Sequence, residues 1–179
     1  MQTSLRAELW DVIAAEAASE SPLWAAALRP SDRRELEPVF SPLGEDRYAL
    51  GLETIYEGYL LHYGRPRLFS PADGDTALLL GDYLFAHGLV RIARLRIVQA
   101  VGDLAELISL CGQIRAEGRS DDGAAWAATA ACLGRGDLDE ARAAMRHDRD
   151  SAPLLALAHA TAGSDAVECA LGGHRRRVS

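Results

Sequence analysis

The chain has 179 residues, 49% of them hydrophobic, and a formal net charge of −7. That length suits one domain with a sizeable core, and the negative charge excludes a general attraction to nucleic acid or to an anionic membrane surface. Alanine and leucine dominate while aromatic and β-branched residues are scarce, which favours helix over sheet. The three cysteines, Cys111, Cys132 and Cys169, have no metal-ligand spacing and read as buried thiols in a reducing compartment. The opening MQTSLRAELW carries no signal peptide, and no apolar run reaches the roughly 20 residues of a bilayer span without a charge interrupting it. A soluble cytoplasmic protein is expected.

In chain order, residues 4–19 form an amphipathic helix, with Leu5, Leu9, Val12 and Ile13 at helical spacing and Trp10 widening the face. Ser21-Pro22 caps a short turn through Leu28. Pro30, Pro38 and Pro42 break the next stretch, where Ser31 or Asp32 can cap a helix start. A longer helix is predicted from Arg47 to Tyr63, ended by Gly64-Arg65-Pro66 because proline and its predecessor resist the α conformation. A loop follows, with Asp73-Gly74-Asp75 as turn and cap. Thr76–Leu95 is apolar on nearly every side and reads as the buried central helix, in which Asp82 needs a partner. Val98–Glu117, Ala124–Leu133, Asp137–Arg146 and Pro153–Ala162 complete the helices, and the basic tail 172–179 is expected to fray. The fold class is all-α, a single helical bundle of seven or eight helices over residues 1–171, with no alternating strand.

Glu53 and Glu57 lie four apart and share one helix face. Two such carboxylates can hold Mg²⁺ against a diphosphate, or they are simply surface glutamates. His147-Asp148-Arg149-Asp150 reads as a solvated segment and Arg175-Arg176-Arg177 as a solvated tail. Gly136-Asp137-Leu138-Asp139-Glu140-Ala141, with Pro153 twelve residues after Ala141, matches part of a tetratricopeptide repeat, but a lone repeat cannot bury its face. It leaves a helical protein-interaction adaptor as an alternative.

An ordered set of motifs resembles the trans-polyprenyl diphosphate synthase family. The turn His62-Tyr63-Gly64-Arg65-Pro66 is followed, seventeen residues after Gly64, by Gly81-Asp82 in an apolar helix. Gly112-Gln113 comes on the next helix, and Ala124–Gly134 is similar to the family's alanine-rich helix. The likeness covers residues 47–134. Departures are equally plain. The aspartate-rich motif falls on Glu53-Thr54-Ile55-Tyr56-Glu57 without its middle carboxylate. The two arginines before the glycine are His62 and Tyr63. The lysine-threonine pair falls on Asp122-Gly123, and the second aspartate-rich motif is missing.

The resemblance implies a degenerate isoprenoid synthase fold in which 52–66 and 76–95 lie side by side around a central hollow. It implies a non-catalytic subunit of a heteromeric polyprenyl diphosphate synthase, assisting elongation of an allylic diphosphate with isopentenyl diphosphate for a menaquinone side chain. On that reading Glu53 and Glu57 hold Mg²⁺ weakly or the partner supplies it, since a site of net negative charge repels diphosphate. Arg65 and Gln113 face the diphosphate. Gly64, Pro66, Gly81, Asp82 and Gly112 keep the frame. Phe85 and Leu89 serve either as core or as contacts to the catalytic subunit or to a second copy.

Overall fold

Nine α-helices make up the structure, a computed structural model that describes residues 2–178, with side chains from residue 9. They are α1 (Gln2–Glu20), α2 (Pro22–Ala27), α3 (Ala49–Tyr63), α4 (Gly74–Ala93), α5 (Val98–Ala116), α6 (Asp122–Cys132), α7 (Asp139–Ala143), α8 (Ala152–Ala162) and α9 (Ser164–Val178). No strand occurs among the described residues, only an isolated bridge between Leu28 and Phe69. The all-α expectation holds, with α9 beyond the predicted set.

Local chemistry sets several boundaries as expected. The Ser21 side chain accepts from the Leu23 amide at the start of α2, and Asp73 accepts from the Thr76 amide at 2.7 Å to cap α4. The helix start expected at Ser31 is only a 3-10 turn, Ser31–Arg33, without a side-chain cap. Pro30 and Pro38 bracket it too tightly for more. Two further 3-10 turns, Ser41–Leu43 and Asp46–Tyr48, lead into α3. In α1 the inward face is Trp10, Ile13, Ala14 and Ala17, Val12 points outward, and Leu5 lies outside the described side chains.

The central helix is α3, not α4 as the sequence suggested. Residues 51–61 are buried without a break. α3 packs along α4 on one side, and α6 and α9 lie against its other flanks. The α3–α4 approach is made at glycines: a methyl on Gly58 would stand 2.8 Å from the Gly81 carbonyl oxygen. α4 keeps Leu80, Gly81, Leu84, Gly88 and Ile92 inward, yet Leu78, Leu79, Asp82 and Val90 face out. It is 20 residues long with a mean hydropathy of 1.2, but its inner face is committed to α3 and it carries Asp82 and Arg91, so it is no clear transmembrane segment.

α6 is alanine-rich and buried along its whole length, which lets α5, α8 and α9 come close. The space expected to be a hollow is filled. Phe40, Tyr56, Tyr59, Trp126 and His174 interlock there with ring centroids 4.9–5.9 Å apart. The predicted frayed tail is instead the end of α9, because His174 and Arg177 point inward at helical spacing and are buried.

Candidate functional site

Glu53 and Glu57 do share a face of α3, and that face meets Arg67. The guanidinium is wholly buried, with Nη1 2.5 Å from Glu53 Oε2 and Nε 3.0 Å from Glu57 Oε2. The Arg67 and Leu68 amides donate to Glu57 Oε1 at 2.8 and 2.7 Å, and the Ser41 amide donates to Glu53 Oε1 at 3.3 Å. Trp10 and Tyr56 cover the guanidinium faces at 4.4 and 4.9 Å. Burial alone would favour loss of the Arg67 proton, but the two carboxylates outweigh it and hold the cation firmly. Every carboxylate oxygen of the pair is thus taken by a donor of the chain itself. Mg²⁺ does not fit here: a fixed cation already sits where it would go. The sequence reading missed Arg67, although it stands directly after the Gly64-Arg65-Pro66 turn that returns the chain past α3.

A second buried charge lies at Asp122. The Tyr59 hydroxyl donates to Asp122 Oδ2, and Arg115 Nη2 donates to the same oxygen at 3.0 Å. His174 Nε2 is 3.6 Å from it, while His174 Nδ1 shares a 2.9 Å hydrogen bond with the Tyr56 hydroxyl. Burial pushes the Asp122 carboxyl up, but hydrogen bonds with His174 and Tyr59, and the charges of His174 and Arg115, outweigh it and hold the carboxyl low. Burial also drives the Tyr59 phenol far above its ordinary range, with Asp122 adding to it. The network ties α3, α5, α6 and α9 together. It is a buried polar knot in which Asp122 Oδ1 and His174 Nε2 have no hydrogen-bond partner among the described residues.

The remaining predicted residues divide. Gly81 and Asp82 do meet the turn that ends α3: His62 Nε2 lies 3.2 Å from Asp82 Oδ1, and a methyl on Gly81 would strike that nitrogen. Phe85 stacks on His62 with centroids 5.0 Å apart, and Leu89 packs on the core, so both take part in internal packing while remaining partly exposed. Pro66 follows the end of α3, and Gly64 admits the Arg177 carbonyl, which a Cβ would meet at 2.7 Å. Arg65 is turned to α9: its amide donates to the Arg177 carbonyl at 2.9 Å and its Nη2 to the Arg176 carbonyl. Gln113 bonds Glu117 at 2.9 Å and accepts from Arg146 at 3.3 Å, sharing no partner with Glu53 or Glu57. Gly112 has only the Tyr63 hydroxyl near it. Two groups with exposed apolar surface, Leu78-Leu79 and Val90, were not singled out in sequence because the helix had been read as buried all round.

No protein-family model matches this chain, and neither a curated protein nor a solved structure shows significant similarity to it.

Proposed function

We propose that the chain is a non-catalytic helical subunit that works through the outer face of α4, and that its partner is a catalytic polyprenyl diphosphate synthase. The observation that carries the non-catalytic part is the Arg67 bridge. The carboxylates that would grip metal and pyrophosphate are spent inside the fold. The prenyl synthase part is supported by the ordered motifs and by the contact between two of them, His62 and Asp82.

The face itself is Leu78, Leu79, Asp82 and Val90, which helical spacing puts on one side of α4. Apolar residues grouped in this way are typical of protein contacts. In the proposed complex this face packs against an apolar helix of the catalytic subunit, which supplies the metal ions and binds the allylic and isopentenyl diphosphates. The chain then acts on the shape of the partner's product cavity.

The filled interior favours a second reading, a helical adaptor without prenyl chemistry. Aromatic rings fill the space between α3 and α6. Co-expression with an aspartate-rich synthase, followed by gel filtration and a prenyl-transfer assay, separates the two. Co-migration together with a changed rate or product length is expected. No complex and no change in product would leave the adaptor reading.

A further inference from the structure

Outside the motif helices, a cavity of about 310 Å³ opens between α9 and the segment before α3. Its floor is apolar, made by buried Val39, Leu43 and Ala170, with Pro42 and Ala166 exposed at its edge. It exists because α9 carries Gly172-Gly173 where a side chain would project toward Val39, 3.5 Å from the position a Cβ would take at Gly173. Its rim holds Arg65, Arg176 and Arg177 with Glu35 and Glu37, so three cations face two carboxylates in a protein that is acidic overall.

The charges are not equivalent. Arg177 is buried and donates to Glu35 at 3.1 Å, so that pair is closed. Arg65 Nη2 is spent on the Arg176 carbonyl at the end of α9. The Arg176 guanidinium has no acceptor among the described residues and lies over the two glycines, its nitrogens 3.6 and 3.9 Å from the Cβ positions they lack. An apolar floor of this volume with an unpaired Arg176 guanidinium at its edge, and Arg65 committed through one nitrogen only, is the pattern of a small-ligand pocket.

We propose that this pocket binds a small amphiphile, an acidic headgroup (carboxylate or phosphate ester) on Arg176 with a short alkyl tail against Val39, Leu43 and Ala170. The site stands apart from the prenyl synthase reading, since none of its walls comes from α3 or α4.

Cys169 lines the same cavity and is exposed, whereas Cys111 and Cys132 are buried. The chain therefore carries its own reporter. The experiment measures the rate at which Ellman's reagent labels Cys169 against rising octanoate, octyl phosphate or octanol. Either or both of the two anions should protect in a saturable way, which identifies the headgroup, and octanol should not. Arg176→Ala should raise the half-protecting concentration by roughly tenfold or more, the usual loss for a charge-assisted hydrogen bond. Gly173→Leu fills the floor and should abolish protection while leaving Cys169 reactive and the circular dichroism of the helices unchanged. Protection by octanol equal to that by the anions, no saturable protection by either anion, or protection indifferent to both substitutions would overturn the proposal.

Discussion

His62 Nε2 stands 3.2 Å from Asp82 Oδ1, so a contact between a largely buried ring and an exposed carboxylate links the last turn of α3 to the middle of α4. Burial lowers the pKa of the imidazole, and Asp82 offsets this only in part. The ring is therefore harder to protonate in the folded chain than in the unfolded one. Its stabilising contribution is complete above the unfolded histidine value of about 6.5 and is lost as pH falls below it. Denaturation midpoints measured between neutral and mildly acidic pH should fall more steeply for the parent than for His62→Gln. Asp82→Asn should steepen the fall further, since it removes the carboxylate that favours the protonated ring.

Removing the buried cation leaves two carboxylates facing each other in the interior. Arg67→Met should cost about 3–5 kcal/mol, the range for breaking a buried ion pair from one side. Urea unfolding followed by circular dichroism measures it. Because the pair is already occupied, millimolar Mg²⁺ should leave the unfolding midpoint of the parent where it is. An upward shift saturating with Mg²⁺ would reinstate a metal site at Glu53 and Glu57.

The α3–α4 seam allows no extra atom. Gly58→Ala drives a methyl toward the Gly81 carbonyl and should destabilise by about 1–3 kcal/mol through overpacking. Gly102 in α5 has open space around it, so Gly102→Ala should stabilise by about 0.5–1 kcal/mol from helix propensity alone. Opposite signs for the same chemical change, read from melting curves, test the packing directly.

The outer face of α4 should be dispensable for folding and essential for docking. Leu79→Glu combined with Val90→Glu alters two exposed positions, each worth within roughly 0.5 kcal/mol of stability. The same pair should weaken binding to a partner synthase at least about tenfold, or 1.4 kcal/mol. Titration calorimetry on the folded double variant separates the two effects.

Most of the helices could be read from the sequence, because alanine and leucine density, Ser21, Asp73 and the Gly64-Pro66 turn act locally. Burial was less legible. Thr76–Leu95 is as apolar as a core helix, yet α3, with two glutamates and three tyrosines, took the centre because Arg67 neutralises its carboxylates and Asp122 and His174 hydrogen-bond the hydroxyls of Tyr59 and Tyr56. None of those partners lies within ten positions on the same helix, so no periodicity announces them. α9 was hidden for a similar reason. Its glycines and arginines describe a loose tail, and it becomes a wall of the core through Val167, Ala170 and Leu171 together with the inward pairing of His174 and Arg177.

Tyr56 waits 118 positions for His174. At a synthesis rate of roughly 5–20 residues per second, the ribosome needs on the order of ten seconds to deliver that ring after α3 has been made. Through that interval the tyrosines and Trp126 have no lid, and a chain cut short before α9 would present them to chaperones and proteases. Quality control of this protein in the cell would then turn on its last helix.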